Sequence, residues 1–176
     1  TSTAFENQQT GNRQRMIPPC FEITHPEILE FWQNINLDEY EKEVETKYGF
    51  VSSFEGFECV ETDLRFRVQD TSRTRGIHVD LQPDGSFLPP LIWFPIQGFG
   101  EELPTKWYEP KGELFQDKYN RWCLEGEEIF SHAITTPVVF DTSRYHGFEN
   151  PEGMRRVIGR VWTNHTLEDL FEILRP

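Results

Sequence analysis

The sequence lacks long apolar runs, and it has few cysteines. No stretch approaches the roughly 20 apolar residues of a membrane-spanning helix, and the N-terminal residues lack the basic-then-apolar pattern of a secretory signal. The three cysteines, Cys20, Cys59 and Cys123, are widely spaced and form no C-x-x-C pair. This spacing argues against a disulfide framework and against a zinc knuckle. We therefore expect a soluble, cytoplasmic protein with no membrane partner.

Positive charge is also scarce. Lys and Arg total 17 against 30 Asp and Glu, which gives a net charge of −13. Clustered Lys and Arg supply most of the affinity for a phosphate backbone, so nucleic acid is not an expected partner. The expected partner is instead a small-molecule or side-chain substrate that the sequence does not identify.

Length and composition predict one domain. A chain of 176 residues with 36% hydrophobic content can build a single core. Residues 1–15 are polar and rich in Thr, Asn and Gln, and we interpret them as a disordered tail. Residues 16–176 then form the domain, with a helical flank over 16–50, a β core over 58–163 and a C-terminal helix over 166–175.

Apolar spacing of three and four residues predicts the helices. The first begins at Pro26 with Thr24 as its cap, and a second covers Asp38–Tyr48, ended by Gly49. The last covers Leu167–Leu174, where Thr166 and Asp169 have the spacing of a capping box.

Alternating patterns and turn residues predict a mainly β core, a sandwich or barrel. Pro95 suggests an edge strand or a bulge. The segment Gln97–Glu128 is longer than ordinary connections and is interpreted as a lid or substrate loop. The predicted strands are Glu58–Val68, Gly76–Leu81, Leu91–Ile96, Thr136–Phe140, Tyr145–Phe148 and Arg155–Thr163.

The strand Gly76–Leu81 carries the first candidate functional groups. Period-two alternation places His78 and Asp80 on one face. A buried imidazole and carboxylate are costly unless they are hydrogen-bonded to each other or bind a metal. His146, at the start of a later strand, offers a second imidazole. Two histidines and one carboxylate form the facial triad that suits non-haem Fe(II) with open positions.

An arginine-bearing strand follows His146. Arg156 and Arg160 share one face of it, and Arg155 reaches that face only if the register slips by one residue. An inward arginine needs an anion, for which a carboxylate is the best geometric match. Arg156 as a surface charge or salt-bridge partner remains the alternative.

Taken together, three pieces resemble the Fe(II)- and 2-oxoglutarate-dependent oxygenase superfamily; they are His78-Val79-Asp80, Phe140 to Gly147 and Pro151 to Ile158. The likeness covers Arg65 to Thr163, and Ile92–Ile96 is more vaguely similar to phytanoyl-type members. It implies a distorted double-stranded β-helix, a cupin-like jelly-roll with flanking helices. It also implies a dioxygenase, a hydroxylase that couples decarboxylation of the co-substrate 2-oxoglutarate to C–H oxidation.

The resemblance also assigns site residues. His78, Asp80 and His146 would ligate Fe(II) and form the catalytic centre. Arg156, at the commoner spacing, would bind the distal carboxylate of 2-oxoglutarate, and Arg160 matches a longer spacing in some branches. A different class stays open: a cupin-type isomerase, a metal- or sugar-binding module, or a relative that binds ligands without catalysis.

Overall fold

The structure is a computed structural model that describes residues 17–35, 45–49, 53–54, 57–58, 63–69, 75–81, 84–98, 103–116, 122–149 and 154–175. The described residues are mainly β, as predicted. In chain order the elements are β1 (Cys20–Glu22), α1 (Pro26–Gln33), β2 (Glu45–Gly49), β3 (Ser53–Phe54), β4 (Phe57–Glu58), β5 (Asp63–Gln69), β6 (Arg75–His78), β7 (Leu91–Gln97), β8 (Thr105–Gln116), β9 (Trp122–His132), β10 (Val138–Phe140), β11 (His146–Phe148), β12 (Arg156–Trp162) and α2 (Leu167–Leu174).

The strands form two main antiparallel sheets. The larger has the order β1-β10-β7-β12-β5-β2, and the smaller has the order β6-β11-β8-β9. From β5 onward, successive strands cross between the sheets except at the step from β8 to β9: β5, β7, β10 and β12 lie in the larger sheet, and β6, β8, β9 and β11 lie in the smaller. Strands β3 and β4 pair only with each other in the described part of the chain.

Alternation along the strands of the larger sheet builds two cores. Ile92 and Phe94 of β7 face the two helices, where they pack in a cluster with Ile28 of α1 and Leu170 of α2. Leu91 belongs to the other core, which contains residues of both sheets and therefore lies between them. Period-two alternation thus lets one sheet bury both of its faces.

Both predicted terminal helices are confirmed. Helix α1 begins at Pro26, but its N-cap is His25, and the hydroxyl of Thr24 lies 3.5 Å from the carbonyl oxygen of Leu174 instead. Helix α2 begins after Thr166, whose hydroxyl accepts a hydrogen bond from the backbone N–H of Asp169 at 3.2 Å. No helix in the described ranges is both long enough and apolar enough to cross a membrane.

The helix predicted over Asp38–Tyr48 is wrong where the structure describes it. Residues 45–48 belong to β2, which pairs with β5 at the edge of the larger sheet, and residues 36–44 lie outside the described residues. The partner strand β5 is distant in sequence, so pairing of the two backbones overrides the local helical periodicity. The predicted tail, residues 1–15, also lies outside the described residues.

The segment Gln97–Glu128 is mostly a ribbon of two strands and not a long loop. Strand β8 pairs with β9 from Thr105–His132 to Gln116–Trp122, but it pairs with β11 only at Lys106 and Trp107. Its alternating register is interrupted twice, and such irregularity weakens the period-two signal in the sequence.

Pro95 lies in an interior strand and not at an edge, whereas the other prediction for it, a bulge, is confirmed. Strand β7 runs between β10 and β12, but β10 pairs only with Leu91, Ile92 and Trp93 and ends before Pro95 is reached. Val157 pairs with Gln97 and Ile158 pairs with Pro95, so Ile96 is the extra residue and the bulge lies in β7 itself, next to Pro95. The carbonyl oxygen of Pro95 accepts a hydrogen bond from Nε1 of Trp32 at 2.7 Å. Proline is therefore tolerated because the neighbouring strand does not need its missing N–H.

A close approach at Gly98 joins β7 to the start of β12. Its φ is 76°, and a Cβ added there would overlap the carbonyl oxygen of Arg155. Gly112 has a similar φ of 75°, but a Cβ added at that position would meet no atom within 4 Å. Gly112→Ala therefore tests the backbone conformation alone, whereas Gly98→Ala adds a steric clash with the backbone.

We expect Gly98→Ala to lower the free energy of unfolding by more than about 2 kcal/mol, and Gly112→Ala by about 1 kcal/mol. Urea unfolding followed by circular dichroism measures both values. Equal losses in the two variants would contradict a clash at Gly98.

Candidate metal centre

Two adjacent strands bring two histidines side by side. His78 is the last residue of β6 and His146 is the first of β11, and the two residues are direct partners in the antiparallel pairing of these strands. Their rings lie with centroids 4.4 Å apart and planes inclined by 52°. The predicted strand over Gly76–Leu81 ends at His78 in the structure, yet Asp80, two residues further on, still lines the same cavity as His78.

The three side chains converge on one point. Nε2 of His78 lies 3.7 Å from Oδ1 of Asp80, and Nε2 of His146 lies 3.5 Å from Oδ2 of Asp80. One donor atom from each residue lies within 4.8 Å of the other two. Both of these distances exceed the usual 2.7–3.2 Å of an N–H···O hydrogen bond, so the contact between these atoms is looser than a direct hydrogen bond.

The donor set fits a divalent metal ion. Metal–nitrogen and metal–oxygen bonds of about 2.1 Å put neighbouring donor atoms roughly 3–3.5 Å apart. The two observed His–Asp separations, 3.5 and 3.7 Å, lie at and just above the upper end of that range. Nδ1 of His146 lies 2.8 Å from the carbonyl oxygen of Arg144. A carbonyl oxygen only accepts, so Nδ1 carries the hydrogen and Nε2 presents its lone pair towards Asp80. Within the described residues, this is the one group of three or more His, Cys, Asp or Glu side chains with such spacing.

A cavity of about 140 Å³ opens beside these groups. The aromatic and apolar walls include two tryptophans, Trp93 and Trp162. A third, Trp107, is buried in the core between the sheets and contacts Phe130 and Phe140. The lining residues are His78, Asp80, Leu88, Leu91, Trp93, Thr105, Thr142, His146, Phe148, Ile158, Arg160 and Trp162.

Two threonines of the cavity were not anticipated from the sequence. Thr105 is 2% exposed and Thr142 is 1% exposed, and the hydroxyl of each is buried with no hydrogen-bond partner in the part of the chain that the structure describes. Such hydroxyls are normally satisfied in folded proteins, so a polar ligand is a natural partner for them. No local pattern marks them, because they meet only through long-range strand pairing.

The arginines of the last strand lie inside the sandwich. Arg160 lines the cavity. Arg156 is fully buried, with Cζ 4.0 Å from the ring centroid of Phe148, which itself lines the cavity. Burial lowers the pKa of Arg156 to about 10, so the side chain stays charged at neutral pH. Val157 and Val161 belong to the helix-facing core, which agrees with the predicted alternation.

The chain matches none of the protein-family models, curated proteins or solved structures with which it was compared.

Proposed function

We propose that this protein is a non-haem Fe(II)- and 2-oxoglutarate-dependent oxygenase, a hydroxylase that couples decarboxylation of 2-oxoglutarate to C–H oxidation of a substrate. The observation that carries the proposal is the convergence of His78, Asp80 and His146 on one point at the wall of a cavity. Two imidazoles and one carboxylate, from a histidine-x-aspartate pair and a distant histidine, match the ligand set that leaves iron positions open for co-substrates.

The strand order supports a double-stranded β-helix as the core of this enzyme. In that fold eight strands wind through two facing sheets, so consecutive strands alternate between the sheets except at one central hairpin. Strands β5 to β12 follow this sequence, and the single step that stays within one sheet is the β8–β9 ribbon. The ligand-bearing strands β6 and β11 are neighbours in the smaller sheet, and the cavity lies between the two sheets.

Fe(II), when bound by His78, Asp80 and His146, would supply the oxidative chemistry. The residues of the chain have the tasks of binding, orienting and excluding water. The hydrogen bond from Nδ1 of His146 to Arg144 holds that ring with Nε2 facing the centre. Trp93 and Trp162 form apolar walls that limit access of water to the centre.

Two arginines and two threonines supply the groups that would bind 2-oxoglutarate, which is a diacid. We assign Arg156 to the distal carboxylate of 2-oxoglutarate, with Arg160 as the second guanidinium of the same face. The hydroxyls of Thr105 and Thr142 offer hydrogen bonds to the bound acid or to the substrate. Movement of the Phe148 ring would connect Arg156 with the cavity, because that ring contacts the guanidinium and also lines the cavity.

A cupin-type site usually contains a further histidine ligand, and the group found among the described residues has two. The set of two histidines and one carboxylate therefore favours the oxygenase over the cupin class.

Substitution of the ligands tests the metal centre. We expect Asp80→Ala and His146→Ala to abolish Fe(II)-dependent succinate formation from 2-oxoglutarate, because each leaves two ligands. Both variants should also lose the weak visible metal-to-ligand charge-transfer band that anaerobic Fe(II) and 2-oxoglutarate produce in the parent protein. His165→Ala, which removes a histidine outside the group, is the control. Activity that survives in either ligand variant would refute the ligand assignment.

Substitution of neighbouring arginines tests the co-substrate anchor. Arg156→Gln should weaken 2-oxoglutarate binding by at least about tenfold, since a charge-assisted bond contributes roughly 1.5–3 kcal/mol. Arg155→Gln, one residue away and on the opposite face, should change it by less than about twofold. The anaerobic charge-transfer titration gives both dissociation constants, and circular dichroism checks the fold. A larger effect at Arg155 than at Arg156 would refute the assigned anchor.

A further inference from the structure

Both halves of the proposed metal centre are connected to one short turn, formed by residues 141–145 between β10 and β11. Three of its carbonyl oxygens accept hydrogen bonds from neighbouring elements. The carbonyl of Thr142 accepts from the backbone N–H of Asp80 at 3.0 Å, and that of Arg144 accepts from Nδ1 of His146 at 2.8 Å. The carbonyl of Tyr145 accepts from the backbone N–H of Tyr108 in β8 at 2.9 Å. The turn therefore positions two of the three candidate ligands, Asp80 through its backbone N–H and His146 through Nδ1 of its ring.

The side chain of Asp141 holds this turn in shape. Its Oδ1 accepts from the backbone N–H of Ser143 at 3.0 Å and from the hydroxyl of Ser143 at 2.5 Å. Its Oδ2 lies 3.2 Å from Nε of Arg144. The backbone N–H of Asp141 donates to the carbonyl of Pro19 at 2.8 Å, which ties the turn to the chain before β1. The Asp141 carboxylate thus fixes the conformation of the turn, and with it the orientation of the peptide groups that flank Thr142 and Ser143.

The chemistry of this position requires a carboxylate. Two oxygens with about four lone-pair sites can accept from three donors at once. In Asp141→Asn the amide oxygen could still accept from Ser143. The amide N–H₂ would then face Nε–H of Arg144, and two donors cannot form a hydrogen bond with each other. Asp141 is 7% exposed, so water does not readily replace the lost bonds.

We infer that Asp141 is a positioning residue of the metal centre: it sets the directions of the Thr142 and Arg144 carbonyls and, through them, the separation of Asp80 from His146. This inference rests on the proposed function for the existence of the metal site. Asp141 itself binds neither metal nor substrate. Outer groups of this kind typically change metal affinity by about 10–100-fold when they are removed.

The chain contains a matched control for the test. Oδ1 of Asp84 accepts from the backbone N–H of Ser86 at 2.9 Å and from its hydroxyl at 2.6 Å, the same local motif as at Asp141. This turn is exposed, and the two hydrogen bonds from Ser86 to Asp84 are local to it. Asp84→Ala therefore removes an equivalent turn bond in the β6–β7 connection without removing a carbonyl support of Asp80 or His146.

The experiment measures the dissociation constant for Co(II), a spectroscopic substitute for Fe(II), by competition with a chromophoric chelator and by the visible Co(II) spectrum. We expect affinity to fall by at least about tenfold in Asp141→Ala. In Asp141→Asn it should fall by an intermediate factor, because the bonds to Ser143 are kept. In Asp84→Ala it should stay within about twofold of the parent. The intensity of the Co(II) bands should change in the same order, since it reports ligand geometry, and all titrations are made well below the unfolding temperature of each variant.

If Asp141→Ala does not fold, Ser143→Ala and Asp141→Asn carry the test, since each removes only part of the turn. Ser143→Ala loses the charge-assisted hydrogen bond from its hydroxyl to Asp141 but keeps the bond from its backbone N–H, so Co(II) binding should weaken by only about threefold. Parent-like affinity and spectrum in the folded Asp141 and Ser143 variants would overturn the inference, as would an equal loss in Asp84→Ala. A parent protein that binds neither Co(II) nor Fe(II) would instead overturn the proposed function. The two failures are therefore distinguishable.

Discussion

The register between β6 and β11 is the constraint on which the site depends. His78 and His146 are direct partners across this antiparallel pair, so their side chains must leave the sheet on the same face and close together. Asp80 comes back to that face two residues after His78. A slip of one residue in the pairing of β6 with β11 would place one imidazole on the opposite face, and the three candidate ligands would no longer lie together. A three-residue strand cannot hold such a register alone, so its surroundings must do so.

The aromatic core between the sheets provides that support. Trp107 of β8 is the partner of His146 on the other side of β11, and it is fully buried. Phe140 contacts both of them, with ring centroids 4.8 Å from Trp107 and 5.0 Å from His146. Packing at this density leaves few alternative positions for the imidazole. Trp107 and Phe140 therefore stabilise the sandwich and also support His146 of the candidate metal centre.

The features that could be predicted from the sequence are local ones. Period-two alternation placed His78 and Asp80 on one side, and the capping pattern at Thr166 identified the last helix. The pairing of β2 with β5 was missed because residues 45–49 carry a helical pattern and their partner lies outside any local window. Thr105 and Thr142 look ordinary in the sequence, and only the pairing of distant strands brings them to one cavity. The Asp141-x-Ser143 turn had a local signal, since aspartate accepting from the residue two positions on is a common turn device.

If the proposed metal ion binds at the cavity wall, the charges there favour a dianionic ligand over a neutral one. Among its lining residues Asp80 and Arg160 carry opposite formal charges, so with neutral imidazoles the wall is balanced. A divalent ion alone would add two positive charges to a partly enclosed, low-dielectric space, which is costly. A doubly charged dicarboxylate restores the balance, whereas a neutral sugar does not.

Arg156, behind Phe148, adds a further positive charge at one side of this space. With the proposed metal ion bound, the interior would favour a small dianion even though the chain as a whole carries a net charge of −13. Because that overall charge repels larger polyanions, the same electrostatics separate a small diacid from nucleic acid.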